Sequence, residues 1–142
     1  MRDYLTRGRT APKILLGGQN FQSTAMEWFT VKTKSGDGIA EVVVNLDRAT
    51  VYESKRFKDF VTEVIENSNK KIILNITKCK MIDSAFIGSM IIILKKLKTI
   101  NGKLKLVADT QNMPVSISHT SLNEIFDIYP NTESAIFSIK QY

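Results

Sequence analysis

The chain has little of the material from which most catalytic sites are built. It holds one cysteine, Cys79, and one histidine, His119. A single cysteine excludes an internal disulfide and suits a reducing compartment such as the cytoplasm. A lone histidine with no cysteine pair excludes the common zinc sets, and no Gly-x-Ser-x-Gly turn is there to seat a nucleophilic serine. Glycine is sparse, and neither Gly17-Gly18 nor Gly36-Asp37-Gly38 has the flanking residues of a phosphate-cradling loop. No apolar run reaches membrane-spanning length, the most apolar one being broken by Lys95, Lys96 and Lys98. The expectation is a protein without catalytic residues, metal, cofactor or membrane insertion.

What is present is the composition of one soluble domain. The 142 residues are 43% hydrophobic and 24% charged, enough for a proper core. The net charge of +6 invites a nucleic-acid reading. Half of that excess sits in residues 1–25, where Arg2, Arg7, Arg9 and Lys13 oppose only Asp3. The remaining lysines are scattered and lack interleaved aromatics for base stacking, so a solvated surface is the simpler reading. Residues 1–25 show no periodicity and too small an apolar centre for a secretory signal. Met26 reads as the natural start, with residues 26–142 forming a single domain.

Strand and helix signals then follow in order. Trp28 to Thr33 alternates, Ser35-Gly36-Asp37-Gly38 marks a turn, and Ile39 to Leu46 makes the second arm of a hairpin. Thr50 and Glu53 fit a capping box ahead of an amphipathic helix whose apolar face is Phe57, Phe60, Val61, Val64 and Ile65, ending near Asn67. Ile72 to Ile76 is a β-branched strand. From Ala85 to Ile100 the residues Phe86, Ile87, Met90, Ile91, Leu94, Leu97 and Ile100 mark a helical face, with Ile91 and Leu94 turned inward. Asn101-Gly102 stops that helix, and Leu104 to Val107 is the next strand. This strand–helix–strand unit implies a parallel pair with a right-handed crossover. A short helix opens at Asn112-Met113-Pro114. A last strand holds Ile125, Phe126, Ile128 and Tyr129, and a C-terminal helix turns Ala135, Ile136 and Ile139 inward. The fold class is α/β, a mixed sheet of four to five strands with helices mainly on one face.

Asp83-Ser84 falls where the central strand gives way to its helix. Either residue is a good N-cap, and a regulatory hydroxyl at a helix N-terminus is the sharper alternative. Asp47 is either a turn residue or part of the same surface. Cys79, between Lys78 and Lys80, is either a thiol of lowered pKa or a small hydrophobe at a strand end. His119, without partners, reads as a surface or half-buried residue.

Ile82-Asp83-Ser84-Ala85-Phe86-Ile87-Gly88 resembles the Asp-Ser-(Ser/Thr)-Gly-Leu-Gly signature of bacterial anti-sigma factor antagonists, single-domain members of the STAS family. The likeness runs from about Phe29 to the C-terminus in element order as well as in motif. Phe86 stands at the first Gly of the signature, and Ala85 at its second hydroxyl residue, which removes an alternative phosphoacceptor. The helix after Pro114 is about a turn shorter than is typical of the family. The resemblance implies that Ser84 is phosphorylated, with Asp47, Asp83, Ser84, Ala85 and Ile87 on the partner-binding surface. It implies an anti-sigma serine kinase and a phosphoserine phosphatase as partners, release of a sigma factor on kinase binding, and a monomer or weak dimer in the cytoplasm. The alternative with the same fold is a non-catalytic scaffold subunit of a stress-sensing or membrane-transport assembly.

If residues 1–25 stand outside the domain, the chain begun at Met26 melts within a few degrees of the full chain; a loss of many degrees in thermal unfolding refutes this.

Overall fold

The computed structural model describes residues 27–33, 37–67, 69–109, 111 and 122–140. The stretch 1–25, the helix expected after Pro114 and His119 lie outside these residues. Among these described residues, seven strands and three α-helices follow in the order β1 (Phe29–Thr33), β2 (Ile39–Val44), β3 (Arg48–Ala49), α1 (Val51–Glu66), β4 (Lys71–Asn75), β5 (Met81–Ile82), α2 (Ser84–Lys98), β6 (Lys103–Val107), β7 (Asp127–Tyr129) and α3 (Thr132–Lys140). The main sheet runs β1-β2-β4-β6-β7, and β3 pairs with β5 in a small sheet of its own.

The β1–β2 hairpin is antiparallel, with Phe29 opposite Val44 and Thr33 opposite Ala40. All later neighbours are parallel: β2 with β4, β4 with β6, and β6 with β7. Alternation along each strand divides the sheet into two apolar faces. On one, Ala40, Val42, Val44, Ile72, Leu74, Leu104 and Leu106 meet Phe57, Val61, Val64 and Ile65 of α1 and Phe86, Met90, Ile93 and Leu97 of α2. On the other, Ile39, Ile73 and Val107 lie under Ala135 and Ile139 of α3. Central strands covered on both sides explain the near-continuous apolar run Ile72-Ile73-Leu74.

The α1 start is the expected capping box. Tyr52 N–H donates to Thr50 Oγ1 at 3.2 Å, and Thr50 N–H donates to Glu53 Oε1 at 2.8 Å. The phase of α2 corrects the sequence expectation. Its buried stripe is Phe86, Met90, Ile93 and Leu97, with Ser89 beside it. Ile91 and Leu94 are half-buried flanks that pack against the core, and Ile100 is exposed. Four consecutive apolar residues at 91–94 leave the phase open to several readings. Wedging α2 against both the sheet and α1 selects Ile93.

Beyond α2, Asn101 adopts the left-handed conformation (φ 61°). Gly102 serves a different purpose: an added Cβ would lie 2.5 Å from the Lys70 carbonyl oxygen and 2.7 Å from Leu97 Cδ2. Two strands are shorter than expected. The second ends at Val44 rather than Leu46, and the last is confined to Asp127–Tyr129. Only Lys105 to Val107 of β6 offers pairing partners to that last strand, so Phe126 enters the core from just outside it and Ile125 is exposed.

Truncating Ile93 to Ala is expected to cost about 2–5 kcal/mol in denaturant unfolding, and Leu94→Ala distinctly less. Equal costs, or the reverse order, would refute the assigned phase.

Candidate functional site

The Asp83-Ser84 corner is assembled by the small parallel pair that no sequence pattern announces. After β2, residues Asn45 to Asp47 lead into β3, whose Arg48 and Ala49 pair with Met81 and Ile82 of β5. Backbone bonds extend this contact at both ends. The Asp47 carbonyl accepts from Lys80 N–H at 2.7 Å and Met81 N–H at 3.1 Å, and the Ala49 carbonyl accepts from Asp83 N–H at 3.0 Å. Asp47 is thereby carried to the loop that precedes Ser84, and its side chain is exposed.

Asp83 is the cap. Its backbone is extended (φ −89°, ψ 173°), and its Oδ1 accepts from Phe86 N–H at 2.9 Å. The second oxygen, Oδ2, accepts at 3.0 Å from Val51 N–H, the first amide of α1. One carboxylate thus closes two helix N-termini, each of which carries partial positive charge from its orphan amides. Ser84, the first residue of α2, is exposed, as is Ala85. Phe86 points the other way, fully buried with its ring centroid 4.7 Å from that of Phe57. Ile87 is half-buried and packs against the core. Gly88 is half-buried, and a Cβ there would meet nothing within 4 Å, so the helix itself does not require glycine.

Cys79 is not the activated thiol that its flanking lysines suggested as one possibility. It is buried, and burial, assisted by the negative charge of Asp47, pushes its pKa from the ordinary 9.0 up to about 12 against a lowering contribution from the Leu46 backbone. It is a small hydrophobe at the edge of the core. No group of three or more His, Cys, Asp or Glu among the described residues is placed to hold a metal ion. Among the same residues no helix is long and apolar enough to cross a membrane.

The STAS domain family model matches residues 29–135, from β1 into α3. The chain belongs to the STAS domain family. Solved STAS-like structures share this architecture. A Thermotoga maritima protein assigned as an anti-sigma factor antagonist aligns with TM-score 0.67 and 23% identity over 80% of this chain and 96% of its own. An anti-sigma factor antagonist from Mycobacterium paratuberculosis aligns with TM-score 0.66 and 18% identity, over 83% and 99%. The unphosphorylated form of the antagonist SpoIIAA aligns with TM-score 0.60 and 12% identity, over 80% and 97%. No curated protein matches in sequence. At these identities the likeness is one of fold: the chain has the fold of anti-sigma factor antagonists.

The sequence reading of this STAS domain named Asp47, Asp83, Ser84, Ala85 and Ile87. Asp83, Ser84 and Ala85 are consecutive at the start of α2, Asp47 meets the preceding segment at Lys80 and Met81, and Ile87 packs against the core instead of standing free. That reading missed Val51, whose amide completes the Asp83 cap. No local signal marks that residue, because its partner lies 32 positions away.

Because the folded thiol holds its proton more tightly than the unfolded one, stability is lost as pH rises from about 9.0 toward about 12. The stability advantage of wild type over Cys79→Ala should therefore shrink across that window in denaturant titrations. An advantage that grows with pH would reverse the assigned shift.

Proposed function

We propose that this STAS domain is an anti-sigma factor antagonist switched by phosphorylation of Ser84. Unphosphorylated, it binds an anti-sigma serine kinase and so releases the sigma factor. The kinase transfers phosphate from ATP to the Ser84 hydroxyl and dissociates, and a phosphoserine phosphatase resets the protein. The chain itself catalyses nothing. The observation that carries the reading is the setting of Ser84. Its side chain is exposed at the start of α2, next to a cap whose two oxygens are already engaged. SpoIIAA, whose fold it shares, has been solved in unphosphorylated and phosphorylated forms.

The chemistry of the switch is electrostatic. A phosphate adds about 1.5 to 2 negative charges at neutral pH. It does so beside the Asp83 carboxylate, on a surface that must shed water when the kinase binds. The N-terminal dipoles of α1 and α2 both point at this corner and offset the charge within the monomer. The fold therefore tolerates the phosphate while the interface does not. The departures from the family signature support this division. Phe86 is spent inside the core and leaves the outer surface to Ser84 and Ala85.

Ser84→Ala should abolish phosphorylation by the kinase and leave kinase binding intact, while Ser84→Asp weakens binding. Neither variant removes the cap, so each should cost less than the about 1 kcal/mol of a lost N-cap. Phosphopeptide mass spectrometry after incubation with kinase and ATP decides the matter. Phosphate on Thr77 or Ser89, or none at all, would overturn the proposal.

A further inference from the structure

Exposed apolar side chains are common on soluble proteins and need no explanation when scattered. Ile92, Ile100, Ile125 and Phe137 are of that kind, distributed over α2, the turn after it, the segment before β7, and α3. Val51 and Tyr52 are different. They are consecutive, 54% and 86% exposed, and form the first turn of α1. The Val51 amide is held at 3.0 Å by the carboxylate of Asp83, the residue immediately before Ser84. This turn and the phosphoacceptor turn are therefore one continuous surface, joined by a single side chain.

The residues around the pair are committed elsewhere. Glu53 is consumed by the capping box, accepting from both the Thr50 amide and the Thr50 hydroxyl. Arg56 stacks over the Trp28 ring at 4.7 Å, and Lys55 pairs with Asp59 at 2.9 Å. At the start of α2 the outward residues are small: Ser84, Ala85 and the half-buried Gly88. The large side chain exposed at this corner is that of Tyr52, which at 86% exposure adds little to the fold. An aromatic with few rotatable bonds, ringed by internally satisfied charges, has the character of a binding anchor.

Resting on the function proposed above, we propose that the first turn of α1 is the second half of the docking surface, with Tyr52 as its apolar anchor for the same anti-sigma kinase. The phosphate on Ser84 then acts at the rim of a contact whose attraction comes largely from α1. The partner is expected to offer an apolar pocket next to its phosphotransfer site. Specificity among kinases would lie in the fit of that pocket to Tyr52, since the small residues at the start of α2 offer little shape to distinguish.

The test uses the full chain and a purified cognate anti-sigma serine kinase, with ADP, in calorimetric titration. Tyr52→Ala should weaken binding by about tenfold or more, Tyr52→Phe should retain most of it, and Ile92→Ala should leave it unchanged. Thermal melting of Tyr52→Ala should match wild type, which separates lost contact from lost fold. If Tyr52→Ala binds within twofold of wild type while Ser84→Asp weakens binding, the anchor is overturned and the switch at Ser84 stands. If wild type binds no kinase, both fail together.

Discussion

The Asp83 carboxylate is the interaction on which the working end of this domain depends. Its two oxygens take one amide from α2 and one from α1, so both helices start from the same negative charge. Each helix would otherwise begin with orphan donors near the surface. The arrangement fixes where Ser84 stands relative to Val51 and Tyr52. It also places two positive dipole ends where added negative charge can be borne without unfolding.

Below that corner, an aromatic series holds the two helices to the sheet. Phe60 and Phe57 of α1 both lie against Phe29 of β1, with centroids 5.6 and 5.7 Å away, and Phe57 meets Phe86 of α2 at 4.7 Å. This explains why the chain departs from its family signature at Phe86. In this domain the position faces inward and is filled by a ring that packs α2 against α1. The surface beside Ser84 is thereby insulated from the departure.

The opposite face of the sheet is tied down by polar as well as apolar contacts. Glu41 Oε2 accepts from Asn75 Nδ2 and from Thr132 Oγ1, each at 2.9 Å, where α3 begins. Asn75 Oδ1 in turn accepts from the amide and hydroxyl of Thr77, at 3.0 and 2.7 Å. The partly buried carboxylate is thus satisfied from two elements, and the chain leaving β4 toward Cys79 and the Ser84 corner starts from a fixed position.

By itself the sequence determined the elements whose signals are local. The hairpin, the Thr50–Glu53 box, the β4–α2–β6 unit and the inward positions of α1 follow from alternation, capping residues and helical spacing, which act within a few residues. The same locality narrowed the α2 cap to Asp83 or Ser84. The folded chain places the cap at Asp83, whose Oδ1 accepts from Phe86 N–H, and only the tertiary structure gives its second oxygen a partner, Val51 N–H, which is remote in sequence. Remote packing also set the phase of α2, since 91–94 are all apolar and the space against α1 and the sheet admits Ile93. The β3–β5 pair, two residues per strand, is too short for any periodicity and exists because the surrounding fold brings the segments together. Burial, likewise, decided Cys79 between the two readings its neighbours allowed, a thiol of lowered pKa and a small hydrophobe at a strand end: desolvation in the folded chain keeps it a buried thiol.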